Sequence, residues 1–165
     1  MHTIMQHIDI RKESSVTDVE KLLTELTGRQ LLTIEEAIAV DAHAVAQFFQ
    51  TTIAKRLMKA KHIERELPFT YAFDDSDGDY QILQGIADCL FEEPDGWVLL
   101  DYKTDRVRGR FDSDEDAEAE MHVRYGIQLN LYKKAIEEIV KIDIKEMVLY
   151  LFDGQRTVKI LGELS

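Results

Sequence analysis

Residues 85–105 read GIADCLFEEPDGWVLLDYKTD, two strand-length apolar runs joined by a turn-forming EPDG. Pro94 and Gly96 interrupt any helical reading, while the apolar runs on either side have the length and composition of strands. The chain must therefore build a sheet around a hairpin. That hairpin also carries charge in an apolar setting: Asp88 between Ala87 and Cys89, and Asp101 and Lys103 directly after Val98-Leu99-Leu100. Charges lying among apolar side chains need partners or solvent. These three either mark solvated strand ends or form a metal site.

Strand alternation puts Asp101 and Lys103 on one face with Trp97 and Leu99, and Asp88 on one face with Ile86 and Leu90. Whether the two faces coincide depends on the turn. An even loop, with Glu93 facing Gly96, sets Asp88 opposite Asp101. A three-residue turn with a bulge at Gly96 sets them out of phase. The even register is the expectation, because it gathers three charges that otherwise have no purpose. Two carboxylates held together repel, and a divalent cation relieves that conflict. Oxygen ligands select magnesium, manganese or calcium. A lysine two residues from one ligand can steer a water or stabilise charge on a phosphoryl oxygen. Two acids and a lysine thus suit metal-assisted phosphodiester hydrolysis, with exposed strand ends as the competing reading.

The remainder of the chain predicts an α/β (α+β) fold in one unit, 1–165, with a helical part over 1–60 and a sheet core over 61–165. Ile4, Met5 and Ile8 predict a helix within 1–10. TDVE (17–20) and TIEE (33–36) fit the capping box and predict helices over 17–28 and 33–39, followed by helix over about 41–60. Strands are expected at 62–73, 80–91, 96–103 and 146–152, the last turning at Asp153-Gly154 into QRTVKI. A helix over 123–141 separates the third and fourth strands, so the sheet should be mixed. Residues 104–123 read as an acid-rich loop, and DDSDGD (74–79) as an acidic turn.

Composition narrows the chemistry. The single Cys89 excludes a disulfide framework, a four-cysteine zinc site and an iron–sulfur cluster built within this chain. There is no GxxxxGK[ST] loop for ATP. No apolar run reaches the roughly 20 residues of a membrane span. The N-terminus lacks a signal peptide, so a cytoplasmic, reducing setting with no membrane partner is expected. The net charge of −12 opposes nucleic-acid binding, although DDSDGD and DSDEDAEAE (112–120) hold four and six of the acids.

Further residues flank the hairpin. ERELPF puts Glu64 and Glu66 on one strand face, and either could be a further ligand or orient one. Gln128 and Tyr132 stand four apart on the 123–141 helix, sharing a face with Tyr125 and Ala135. In this order, ERELPF, GIAD, LLDYKTD and QLNLY resemble the PD-(D/E)XK nuclease superfamily. More narrowly they resemble the C-terminal nuclease domain of AddA (RecB-like) helicase–nucleases, and MHTIMQHI matches the helix that opens that domain.

The resemblance implies a restriction-endonuclease-like fold, a central mixed sheet flanked by helices, and a Mg²⁺ site that Mn²⁺ or Ca²⁺ can occupy. It implies Asp88, Asp101 and the Tyr102 carbonyl as metal ligands, joined by His2 and Glu66, with Lys103 as the catalytic lysine. Gln128 and Tyr132 would assist the site. It further implies a bacterial DNase of double-strand-break repair and recombination, cut from a longer helicase chain. Its partners would be single-stranded DNA from unwound duplex, the helicase part of its own chain and an AddB-type partner protein. Ala87 stands where the superfamily name has proline, and the cysteine cluster of AddB-like relatives is missing. The alternatives are a non-catalytic interaction module on a nuclease-like fold and a magnesium-dependent hydrolase of small phosphates.

Overall fold

The computed structural model describes residues 1–74, 80–106, 109–111 and 113–162, with the Asp74 side chain excepted. The turn expected within DDSDGD falls on residues 75–79 and lies outside the described residues. Five helices come first: α1 (His2–His7), α2 (Val16–Gly28), α3 (Ile34–Ala39), α4 (Ala42–Phe48) and α5 (Thr52–Lys59). Strands β1 (Ile63–Asp74), β2 (Tyr80–Glu93) and β3 (Gly96–Lys103) follow, then α6 (Asp114–Val140), β4 (Ile144–Leu151) and β5 (Arg156–Ile160). Among the described residues no helix is long and apolar enough to cross a membrane.

Local chemistry explains where these elements start and stop. The α3 box forms as expected, Thr33 accepting from the Glu36 amide while Glu36 reaches back to the Thr33 amide. The α2 box instead joins Ser15 to Asp18, so the helix begins before the TDVE motif. The helix expected over 41–60 is two. Thr51 accepts from the Ala54 amide and donates to the Phe48 carbonyl at 2.6 Å, ending α4 and starting α5 at one residue. The larger difference is α6, which opens at Asp114 rather than 123. Ser113 caps it through the Asp116 amide, and Asp114, Glu115 and Asp116 fill its first turn. Carboxylates there meet the unpaired amides and the positive end of the helix dipole, so from Asp114 onward the acid-rich stretch is helix rather than loop.

The five strands lie in the order β1-β2-β3-β4-β5, antiparallel throughout except for the parallel pair β3–β4 that α6 connects. Alternation divides the core between two faces. Val98, Leu100, Tyr102, Val148 and Tyr150 pack with Ile4, Phe48 and Leu57 of the N-terminal helices. Leu99, Met147, Leu149 and Val158 pack with Met121, Leu129 and Ile136 of α6. The result is a mixed sheet between two helical layers, the α/β fold that the order of strand and helix signals predicts. Arg56 of α5 bolts one layer to the ends of two inner strands, its guanidinium bridging Glu93 of β2 and Glu146 of β4 at 2.8 Å each.

Candidate active site

The site rests on the β2–β3 register. Glu93 pairs with Gly96 and Cys89 with Leu100, so the ladder runs in the even phase as far as it is paired. Asp88 and Asp101 are the residues that follow that last pair, near enough for the Asp88 charge to act on Asp101. Gly96 makes this turn possible at φ +139°, a conformation that L side chains rarely adopt. A Cβ there would also stand 3.3 Å from the Lys145 side chain.

Asp101 is 6% exposed, and its Oδ2 lies 2.7 Å from the Lys103 ammonium. The pair is an ion contact without hydrogen-bond alignment, since that same buried oxygen receives no aligned donor. Burial, and then the Asp88 charge, push the Asp101 carboxyl up to about 6 against the pull of Lys103. Asp88 is held differently: its Oδ2 accepts from the Tyr102 amide at 2.7 Å. Tyr102 thus divides its work. Its ring lies buried among Phe48 and Phe152 on the far face, while its backbone faces the carboxylates.

His2, at the start of α1, reaches the same point. Its Nε2 lies 3.0 Å from the Tyr102 carbonyl and 3.3 Å from Asp88 Oδ2. The Asp88 contact raises the His2 pKa above its usual range. Glu66 sits on β1 beside Asp88, its carboxyl raised by burial first and by the Asp88 charge second. Its φ is +53°, left-handed for a residue with a Cβ, and the β1–β2 pairing skips it between Arg65 and Leu67. Backbone strain of this kind collects at working sites. Glu64 is exposed and pairs with Leu90.

The helix residues divide. Gln128 donates to the Tyr132 hydroxyl at 3.4 Å. The Tyr132 ring meets Phe69 edge-on at 4.8 Å and lies over Gly85, where a Cβ would stand 2.7 Å from it. Among the described residues no hydrogen bond joins either residue to Asp88, Asp101 or Lys103. Tyr125, noted in the sequence only as sharing their face, is the helix residue that touches the lysine: the ammonium stands 4.5 Å from its ring centre.

Among the described residues no three His, Cys, Asp or Glu side chains already gather tightly enough to hold an ion. The donor chemistry nevertheless fits a hard divalent cation. Two carboxylates, a carbonyl and an imidazole converge, and one buried carboxylate oxygen lacks an aligned donor. A larger cavity of about 810 Å³, lined by Met1, Glu36 and Asp153 among others, contains neither carboxylate of the hairpin. The carboxylates of the hairpin lie on the sheet, away from that hollow.

Comparison with known proteins identifies the family. The chain matches the PD-(D/E)XK nuclease superfamily over residues 1–160. It is similar to an ATP-dependent helicase/nuclease protein of Lysinibacillus sphaericus, 46% identical over 160 residues. The same-named proteins of Bacillus velezensis and Bacillus cereus are 42% and 37% identical over 163 and 170 residues. The matches take in 96%, 93% and 97% of this chain but only 13%, 13% and 14% of those relatives.

Proposed function

Since the chain belongs to the PD-(D/E)XK nuclease superfamily, we propose that Asp88, Asp101 and Lys103 form a divalent-metal-dependent site that hydrolyses DNA phosphodiesters. The observation that carries this reading is the even register of the β2–β3 hairpin, whose last pair, Cys89 with Leu100, directly adjoins Asp88 and Asp101, with Lys103 at 2.7 Å from Asp101. Asp88, Asp101 and the Tyr102 carbonyl would hold the cation, with His2 and Glu66 completing or orienting the set. Magnesium is the expected ion, and manganese or calcium could take the same ligands. When bound, it supplies Lewis acidity toward the phosphodiester and toward an attacking water.

The chain's own residues supply the rest. Asp101 accepts positive charge in a buried setting where its carboxylate alone is costly. Lys103 holds a water or a phosphoryl oxygen beside it, stabilising charge that develops there. Gln128 and Tyr132 dock α6 on the β1–β2 ribbon, and Gln128 is exposed on that side to meet the DNA backbone. By its similarity to helicase/nuclease proteins, the chain would work in the bacterial cytoplasm as part of a longer protein. A helicase region and an AddB-type partner would feed it single strands during double-strand-break repair and recombination. The non-catalytic reading gives no reason for burying Asp101 beside Lys103 and within reach of the Asp88 charge.

The test is incubation of linear single- and double-stranded DNA with the purified chain, in Mg²⁺, in EDTA, and in EDTA with Mg²⁺ restored. Slow cleavage that follows the metal is the expected result. Cleavage indifferent to EDTA, or none by a folded chain in Mg²⁺ on either substrate, overturns the reading.

A further inference from the structure

A lysine that works on a phosphodiester must rest in one place, yet its four-carbon stem has many rotamers to lose. Among the described residues two groups attract the Lys103 ammonium: Asp101 at 2.7 Å and the face of Tyr125 at 4.5 Å. The first is compromised by the site's own chemistry. Once the Asp101 oxygens are shared with a divalent cation, their attraction for the lysine is divided and a like charge stands nearby. An aromatic face does not bind a hard cation in competition with carboxylates, so its hold on the ammonium persists.

The ring is itself braced. The Tyr125 hydroxyl donates to Asp105 Oδ2 at 2.7 Å, and Asp105 Oδ1 accepts from Arg124 at 2.8 Å. Arg124 in turn donates to Glu120 at 2.7 Å, one turn back on α6. This chain of contacts ties the Tyr125 hydroxyl on α6 to Asp105, two residues after Lys103. Burial and then Asp105 push the Tyr125 phenol up to about 12, so its proton stays in place to donate.

We propose that Tyr125, braced by Asp105, is a positioning residue for Lys103, its ring face setting where the ammonium rests. The proposal rests on Lys103 acting in a phosphodiester-cleaving site. A ring at this point could also serve only to pack α6 on the sheet, and the two roles separate experimentally.

Compare Tyr125→Leu, Tyr125→Phe and Asp105→Asn with the unsubstituted chain, each checked for cooperative unfolding. Positioning predicts that Tyr125→Leu lowers kcat about tenfold with KM for DNA little changed, and that Tyr125→Phe recovers most of the loss because the ring remains. Asp105→Asn, which keeps both the ring and an acceptor for its hydroxyl, should lose no more than Tyr125→Phe does. A second readout is independent of activity. In the chain carrying ¹³C-labelled lysine, with Lys103 assigned through Lys103→Met, its ε-methylene resonance should be displaced by the ring current. The displacement should survive in Tyr125→Phe and vanish in Tyr125→Leu. A folded Tyr125→Leu with unaltered kcat, or a Lys103 resonance that does not move, overturns the proposal. Should the unsubstituted chain fail to cleave DNA, the nuclease reading falls and takes the catalytic purpose of the contact with it, while the resonance still decides whether the ring sets where the ammonium rests.

Discussion

Asp101 concentrates the electrostatic tension of the site, being buried, close to another carboxylate and balanced by one lysine without hydrogen-bond alignment. A cation bound only by the folded state stabilises it by mass action, about 2.7 kcal/mol at a hundredfold excess over Kd. Thermal unfolding should therefore shift upward with added Mg²⁺ or Mn²⁺. Asp88→Asn and Asp101→Asn should each abolish most of that shift while remaining folded. An equal shift in wild type and both variants would place the metal elsewhere. At this scale the sequence was informative about identities and less so about conformation. Alternation put Asp101 and Lys103 on one face, the turn left the face of Asp88 open between two registers, and the order of the flanking motifs made the three legible as a group. The left-handed backbone of Glu66 left no trace, because nothing but its neighbours' pairing holds a glutamate at φ +53°. Tyr125 was visible as a helix-face residue, but its approach to Lys103 depends on how α6 crosses the sheet.

The elements hold one another through a few close contacts, and Gly85 is the sharpest. It belongs to the GIAD stretch that ends in a proposed ligand, and the structure gives it a second role: the Tyr132 ring and Phe69 leave no room for a side chain there. Gly85→Ala should cost about 1–3 kcal/mol by forcing α6 off the ribbon, read by chemical denaturation, and Tyr132→Ala should partly relieve the double variant. Additive losses would contradict direct contact. At the opposite end, Arg56 holds the Glu93 carboxyl down to about 2 and also lowers Glu146. Depressed acids stabilise the fold above their ordinary value near 4.5, and that stability is lost as pH falls toward 2. The stability gap between wild type and Arg56→Met should thus be widest at neutral pH and close across that window. A constant gap would rule the bridge out as an acid-sensitive bolt. The α6 boundary shows why element ends escaped the sequence: Asp114, Glu115 and Asp116 look like solvated loop until Ser113 is seen capping a helix whose dipole welcomes them.

At the scale of the whole molecule, the mixed sheet and its crossover followed from the order of strand and helix signals, whereas the layer that each helix joins did not. The net charge of −12 is unfavourable for holding DNA at long range. The chain alone should therefore bind linear DNA weakly, release it after each cut and lose binding as salt rises. Product lengths from a limited digest read this directly, and processive degradation by the isolated chain would contradict delivery of the strand by other parts of a longer protein. The central claim is narrower: the hairpin that brings Asp88 close to Asp101 is a nuclease centre with Lys103 as its working lysine. Its most direct test is the rate of linear-DNA cleavage in Mg²⁺ by the wild type, Asp101→Asn and Lys103→Ala, each shown to be folded. A fall of at least roughly a hundredfold in both variants is predicted. Equal rates in all three proteins would contradict it.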